Sequence, residues 1–133
     1  MKEKNFGRIV NITSAMVKNP HLIMGLSTSA RSGLHGLSKA LSREVAQFNI
    51  TINNLLPERI DTDRQTQILN FQAKLSDKSY EESRKELEDS LTAKRMGTVE
   101  EFSGICTFLC SKQAAYISGQ NISVDGGNST NLI

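Results

Sequence analysis

A strand, a long amphipathic helix and a second strand follow one another early in the chain, and this order constrains the fold more than any other feature. Residues 7–13 and 50–56 are rich in β-branched and apolar side chains, which favours two buried strands. Between them, apolar residues recur at spacings of three and four and predict one helical stripe: Leu26, Ala30, Leu34, Leu37, Leu41 and Val45. The stretch therefore predicts a right-handed β-α-β unit with parallel strands.

Two glycines lie inside this helix. Gly33 and Gly36 each cost roughly 1 kcal/mol relative to alanine in a helix interior. Their presence predicts that another backbone passes close to the helix at this point. Arg31 and His35 fall off the apolar stripe. For His35, as for the isolated His21, we expect a structural or solvated role.

The second half of the chain predicts a helical insert, a core helix and a third strand. One of residues 61–63 is expected to cap a helix that begins near Gln65 and has a thin apolar face of Ile68, Phe71 and Leu75. Capping-box spacings predict two further helices, over residues 79–91 and 98–110; the pairs are Ser79 with Glu82 and Thr98 with Glu101. Residues 121–124 read as the third strand.

This order of elements predicts one α/β domain with a parallel sheet of three strands and about four helices. The helical insert connects a sheet loop to the next core helix and is dense in charges of both signs. We therefore expect it to form a mobile lid.

The composition is that of a globular chain without a strong electrostatic field. The 133 residues carry a net charge of +2, with 38% hydrophobic and 23% charged residues. Basic and acidic residues are interspersed, so nucleic acid is not an expected partner. No apolar run approaches the ~20 residues that a membrane span needs, and no signal peptide is recognisable at the start. We expect no membrane association and a cytoplasmic location.

The two cysteines, Cys106 and Cys110, lie four residues apart on a predicted helix. A redox pair or half of a metal site is one interpretation of this spacing. No second cysteine pair or histidine cluster accompanies them, so the preferred interpretation is core packing on a stripe with Phe102, Ile105 and Leu109. We expect no metal site.

Four motifs run along the chain in a fixed order: GRIVNITS at 7–14, LSRE at 41–44, INNLLP at 52–57 and GQNISVDGG at 119–127. Together they resemble the short-chain dehydrogenase/reductase family, with members close to 3-oxoacyl-acyl-carrier-protein reductases being nearest. The resemblance implies the C-terminal part of a Rossmann-like doubly wound parallel sheet. The family's glycine-rich turn, which receives the cofactor pyrophosphate at a helix N-terminus, does not occur. We therefore expect residues 1–133 to be a single partial domain that lacks the N-terminal glycine-rich cofactor half.

Catalytic residues are implied by the same resemblance. The family's serine, which hydrogen-bonds the substrate carbonyl, matches Ser14. The family's tyrosine lies thirteen residues later and is Ser27 here; its lysine lies four further on and is Arg31. A serine hydroxyl is less acidic than a phenol and lies closer to the backbone. Arg31 would hold a ribose hydroxyl of the cofactor and supply positive charge.

Each of these residues also has a plain structural interpretation. Ser14 can be the polar end of a strand, Ser27 a helix N-cap, and Arg31 one half of a surface ion pair. Residues 125–127, with the sequence DGG, can be a sheet-ending turn rather than a ligand turn. These alternatives stay open at the level of sequence.

Cofactor contact is implied for the segment after the second strand. Pro57, Ile60 and Thr62 match the family pattern Pro-Gly-x-Ile-x-Thr, with Glu58 in place of the glycine. They would lie along the nicotinamide of NAD or NADP. The implied function is NAD(P)-dependent oxidoreduction of a small-molecule carbonyl or alcohol; the alternatives are a non-catalytic member that binds or oligomerises and a truncated member without activity of its own. Because the first strand has an unpaired edge, we expect a homo-oligomer.

Overall fold

The computed structural model describes residues 1–132 and contains one three-stranded parallel sheet. Its strands are β1 (Gly7–Ile12), β2 (Ile50–Pro57) and β3 (Asn121–Val124), in the order β1-β2-β3. In the register, Gly7 lies opposite Ile50 and Asn54 lies opposite Asn121. The three predicted strands and their parallel arrangement are confirmed.

Four α-helices connect the strands, and the predicted α/β class is confirmed with them. They are α1 (Gly25–Val45), α2 (Asp63–Ser76), α3 (Tyr80–Ser90) and α4 (Val99–Cys110). Short 3₁₀ turns lie at Ala15–Val17, Leu22–Met24 and Ala46–Phe48. Over residues 1–132, no helix combines the length and the apolar character that crossing a membrane requires.

Side-chain caps fix where three of the helices begin. Thr62 accepts a hydrogen bond from the Gln65 N–H, so α2 begins at Asp63. Both predicted capping boxes are present in full, with reciprocal bonds between cap and third residue: Ser79 with Glu82, and Thr98 with Glu101. The starts of these helices are therefore set by local sequence.

The main core lies between the sheet and α4. Leu55, Leu109 and Ala114 are fully buried there, and further side chains pack on them: Val10, Phe102, Ile105, Cys106, Ile117, Ile122 and Val124. Core packing of Cys106 is confirmed, and burial raises the pKa of its thiol. Cys110, the last residue of α4, is exposed instead, so the core packing expected for it is wrong.

The helical insert has a small core of its own. Leu69 of α2 packs with Leu91 and Met96, and Tyr80 and Leu87 of α3 close the cluster. Tyr80 and Leu87 thus define the inner face of α3. The predicted apolar face of α2 is wrong, because Phe71 and Leu75 are 63% and 73% exposed. Leu69 and Ala73 define the buried face instead.

The apolar stripe of α1 points away from the sheet. Leu26 is 93% exposed and Leu37 is 56% exposed, whereas the buried residues of α1 are Thr28, His35, Ser38 and Ser42. Among residues 1–132, the expected close approach at Gly33 and Gly36 is not found, since a Cβ placed on either would meet no atom within 4 Å apart from the neighbouring backbone of α1. Periodicity therefore predicted the helix correctly but not which of its faces packs inward.

A ladder of asparagine side chains explains why a polar face of α1 packs on the sheet. Asn11 Nδ2 donates to Asn54 Oδ1 at 3.0 Å, and Asn54 Nδ2 donates to Asn121 Oδ1 at 2.7 Å. Asn11 Nδ2 also donates to Ser38 Oγ of α1 at 3.0 Å. The ladder crosses all three strands through directly paired residues. Small polar residues on α1 are therefore required opposite it, because buried amides need partners.

We expect Asn54→Leu to lower the free energy of unfolding by roughly 2 to 3 kcal/mol, because it removes the buried middle amide and its hydrogen bonds to Asn11 and Asn121. Urea denaturation followed by circular dichroism measures this difference. Asn70→Leu is the matched control, since Asn70 is exposed on α2 and bonds only to the carbonyl of Thr66 within its own helix. Equal effects of the two substitutions would contradict a stabilising role for the ladder.

Candidate active site

The carboxyl ends of β1 and β2 meet at one edge of the sheet, which is where ligands bind in open parallel sheets. Ser14 follows the end of β1 by two residues, and Pro57 is the last residue of β2. The half-buried Ser14 hydroxyl accepts a hydrogen bond from the Met16 N–H at 3.2 Å. Ser14 therefore caps the turn Ala15–Val17, and its own hydroxyl hydrogen is not used in that bond.

Ser27 and Arg31 form a direct pair on the first turns of α1. Arg31 Nη1 donates to Ser27 Oγ and also to the Ser27 carbonyl at 3.3 Å. Ser27 is not the helix N-cap, because α1 begins at Gly25 and Met24 occupies the cap position. Within residues 1–132, none of the ion pairs involves Arg31, so the surface ion-pair interpretation is also wrong.

Thr13 and His35 join the end of β1 to α1. Thr13 donates to the Leu55 carbonyl through its backbone N–H at 2.8 Å and through its hydroxyl at 3.2 Å. His35 Nε2 lies 2.9 Å from the same hydroxyl. Since the carbonyl can only accept, the Thr13 hydroxyl donates to it and accepts from the His35 ring. Burial, with a smaller contribution from Lys18, lowers the pKa of His35 below its ordinary 6.5.

These contacts join the end of β1 to α1, the helix that carries Ser27 and Arg31. Ser27, Arg31 and His35 follow one another at intervals of four and share one face of α1. His35 touches Thr13, the residue before Ser14. In the part of the chain that the structure describes, no hydrogen bond joins Ser14 to the Ser27–Arg31 pair. The structural role expected for His35 is confirmed, since its buried ring bonds to the Thr13 hydroxyl. Nothing in the sequence distinguished it as a neighbour of Ser14.

Pro57, Ile60 and Thr62 come together in one cavity. It has a volume of about 310 Å³ and is also lined by three apolar side chains: Ile12, Val99 and Phe102. These three were not anticipated, because they are ordinary core residues by type. Arg31, whose implied role was contact with the cofactor ribose, does not line this cavity.

The loop that carries these residues has an unusual backbone. Arg59, not Glu58, takes the left-handed conformation, with a φ of 53°. Because Glu58 keeps an ordinary conformation, a glycine is not required where the family pattern has one. Ile60 pairs in parallel with Gly97, which donates its N–H to the Arg59 carbonyl at 3.0 Å and accepts from the Asp61 N–H at 2.8 Å. The loop is thus held against the segment before α4.

A four-residue cluster fastens the helical insert to the same loop. Arg84 of α3 donates to Asp61 at 2.6 Å, to Glu88 at 3.0 Å and to the Tyr80 hydroxyl at 3.3 Å. These bonds, chiefly that to Asp61, raise the pKa of Arg84. Asp61 lies between Ile60 and Thr62 of the cavity. The position of the insert therefore bears directly on the cavity wall.

Comparison with known proteins identifies the family. The family model described as Enoyl-(Acyl carrier protein) reductase matches residues 1–129. The chain belongs to the short-chain dehydrogenase/reductase family. The NADPH-dependent reductase BacG of Bacillus subtilis strain 168 is 37% identical over 128 residues, which are 96% of this chain and 49% of BacG. The 3-oxoacyl-[acyl-carrier-protein] reductase FabG of Aquifex aeolicus is 32% identical over 127 residues, 96% of this chain and 47% of FabG.

Solved structures of the family show the same fold. The crystal structure of YwfH, an NADPH dependent reductase involved in bacilysin biosynthesis, superposes with a TM-score of 0.90 at 34% sequence identity. The match covers 98% of this chain and 50% of YwfH. The chain thus spans about half the length of the relatives that it matches. The predicted family and Rossmann-type fold are confirmed.

Acid should destabilise this site through His35. Because the pKa of folded His35 lies below 6.5, its contribution to stability is complete above that value and is lost as the pH falls towards the folded pKa. We expect the urea concentration at the unfolding midpoint to decrease as the pH is lowered from about 7.5 to about 5. The variant His35→Gln should weaken this pH dependence, since glutamine keeps a donor for Thr13 without titrating. His21→Gln, at an exposed turn, is the control and should leave the pH dependence unchanged. Identical profiles for wild type and His35→Gln would refute this assignment.

Proposed function

We propose that this chain carries the nicotinamide and substrate part of a Rossmann-like NAD(P)-dependent reductase or dehydrogenase acting on a small carbonyl or alcohol. Family membership supports the reaction class. The cavity at the carboxyl edge supports the location of the site. BacG and YwfH are both named as NADPH-dependent reductases, which makes NADPH the first cofactor to test.

The cavity formed by Pro57, Ile60 and Thr62 fits the nicotinamide end of such a cofactor. Its volume of about 310 Å³ and its largely apolar wall suit a flat aromatic ring; cavities of ~150 Å³ already accept benzene. The fit does not extend to the pyrophosphate, because the glycine-rich turn is not among the residues of this chain. A bound reduced nicotinamide would supply a hydride to the carbonyl carbon.

The chain's own residues would hold the substrate oxygen. The Ser14 hydroxyl has a free hydrogen with which to donate to that oxygen. The Ser27 hydroxyl accepts from the Arg31 guanidinium, which polarises the serine O–H and makes it a stronger donor. A guanidinium stays charged across the pH range of proteins, so Arg31 stabilises negative charge on the oxygen without giving up a proton. The proton then comes from solvent through Ser27.

The Ser27–Arg31 pair is the observation that carries this proposal. These two residues occupy the positions of the family's phenol and amine, and their side chains are in contact. The pair therefore retains a hydroxyl donor beside a fixed positive charge.

Titration with NADPH and NADH, followed by cofactor fluorescence, tests binding, and oxidation of NADPH with a panel of small ketones tests turnover. We expect the double variant Ser27→Tyr/Arg31→Lys to raise turnover by roughly a hundredfold or more, because a positioned general acid contributes about that much. Ser32→Tyr, an exposed neighbour on the same helix, is the control and should change nothing. The proposal is overturned if neither NADPH nor NADH binds. It is also overturned if Ser32→Tyr changes turnover as much as Ser27→Tyr/Arg31→Lys does.

Assembly without turnover is a second candidate function, and the outer face of α1 favours it. Leu26 and Leu37 of the stripe are well exposed, and β1 has a neighbour on one side only within residues 1–132. Exposed apolar patches and free strand edges both promote association. We propose that the chain forms a homo-oligomer through these surfaces.

Sedimentation velocity should show oligomers or larger aggregates of the purified chain. Leu37→Glu should shift the distribution towards monomer, because a charge on the stripe must be desolvated on association. Leu75→Glu is the matched control: Leu75 is similarly exposed but lies on α2, away from the stripe. A monodisperse wild-type monomer with a cooperative melting transition would refute the homo-oligomer.

A further inference from the structure

A second cavity lies at the carboxyl ends of β2 and β3, next to the nicotinamide cavity. Its volume is about 160 Å³, and Ile60 lines both cavities. Val124 of β3, with Leu91 and Ala93 of the segment before α4, forms an apolar wall. Five charged side chains line the rest, together with Ile60 and two glycines. Apart from Ile60, no residue of this lining has a role in the proposed hydride transfer.

Residues with left-handed backbone occur in the lining of the second cavity and next to it in sequence. Arg59 and Gly126 line it with φ values of 53° and 61°, and Lys94 lies between two lining residues with a φ of 56°. For arginine and lysine this conformation is strained, and such strain is concentrated at binding sites. Of the two strained residues, only Arg59 belongs to the cavity lining, so it is the candidate ligand contact.

Two of the charged residues in the lining satisfy each other. Arg95 donates two hydrogen bonds to the Glu101 carboxylate, at 2.6 and 2.8 Å. Glu101 also accepts from the Thr98 N–H at 2.8 Å. These contacts, with that to Arg95 the largest, lower the pKa of Glu101 to about 2. The charges of Arg95 and Glu101 therefore neutralise each other without a ligand.

Three other charged residues in the lining retain bonding capacity. Arg59 is half-buried, yet its guanidinium has no hydrogen bond and no ion pair within residues 1–132. Glu58 accepts one hydrogen bond, from Asn128 at 2.9 Å. Asp125 accepts one on each oxygen, from the N–H groups of Gly127 and Ser129. A carboxylate accepts about four, so both acids have acceptor sites left over.

The charges of Glu58, Arg59 and Asp125 favour some classes of ligand over others. An anion would pair with Arg59 but be repelled by Glu58 and Asp125, and a cation would leave the guanidinium without an acceptor. A zwitterion would satisfy one acid and leave the other unpaired. Hydroxyl groups both donate and accept, so several of them on a neutral molecule can pair with all three residues at once.

We propose that this second cavity binds a neutral polyhydroxylated compound of about the size of a monosaccharide or cyclitol. Its hydroxyls donate to Glu58 and Asp125 and accept from Arg59. Its C–H face packs on the apolar wall of Leu91, Ala93 and Val124. The volume of about 160 Å³ limits the ligand to a single ring, since a cavity of ~150 Å³ holds one benzene.

Binding is tested on the chain itself, without any reaction, by amide-proton NMR titration with D-glucose and with myo-inositol. We expect saturable shifts at the amides of Glu58, Arg59, Ala93 and Asp125. Arg59→Gly should weaken binding by roughly tenfold or more, because it removes hydrogen bonds from a charged donor. Glycine suits a φ of 53°, so this variant should fold at least as well as the wild type.

Lys94→Gly is the matched control. It relieves the same backbone conformation one residue outside the lining, where the Lys94 ammonium bonds to the Asp89 carbonyl at 2.6 Å. We expect it to leave the affinity for both polyols unchanged. The proposal is overturned if neither polyol binds the folded chain or if Arg59→Gly binds them as tightly as wild type. It is also overturned if the free amino acid glycine, a zwitterion, or acetate, an anion, binds in preference to both polyols. Because no cofactor is added, these outcomes are independent of the reductase proposal.

Discussion

The burial of β2 is the constraint on which the rest of the structure depends. Every residue from Ile50 to Leu56 is buried, and the strand has a parallel neighbour on each side. One face carries Leu55 against α4, and the other carries Asn54 in the middle of the amide ladder. A buried amide without partners is costly, so the ladder fixes the register of β1 and β3 against β2. The same requirement brings the polar face of α1 onto the sheet.

The sequence predicted elements well and packing faces less well, for a physical reason. Strand residues with β-branched side chains, and caps such as Thr98 with Glu101, act locally, so the starts and types of elements could be read directly. The inward face of α1 depends on Asn11 and Asn54, which are distant in sequence. A hydrophobic stripe normally faces the core. Here the core face was already polar, so the stripe of Leu26 and Leu37 is left outside.

The candidate site shows the same division. Ser27 and Arg31 could be found because their spacing of four matches a family motif, and that spacing also brings them into contact. His35 and Phe102 could not be selected in advance, because nothing in a lone histidine or a core phenylalanine distinguishes a site residue from a structural one. The left-handed backbone of Arg59 could not be predicted either. It accompanies the pairing of its loop with Gly97, a contact between distant segments.

The loop between Pro57 and Thr62 contributes to the walls of both cavities and is held by contacts to other elements. Ile60 forms part of both walls, Asp61 is held by Arg84 of the insert, and Gly97 fixes the loop from the other side. Because Ile60 lines both cavities, a rotamer change that enlarges one cavity alters the wall of the other. Occupancy of the second cavity would therefore restrict Ile60 and, through it, the wall of the cavity assigned to nicotinamide. The helical insert acts on the same loop through a partly exposed ion pair, whose contribution is modest and sensitive to salt.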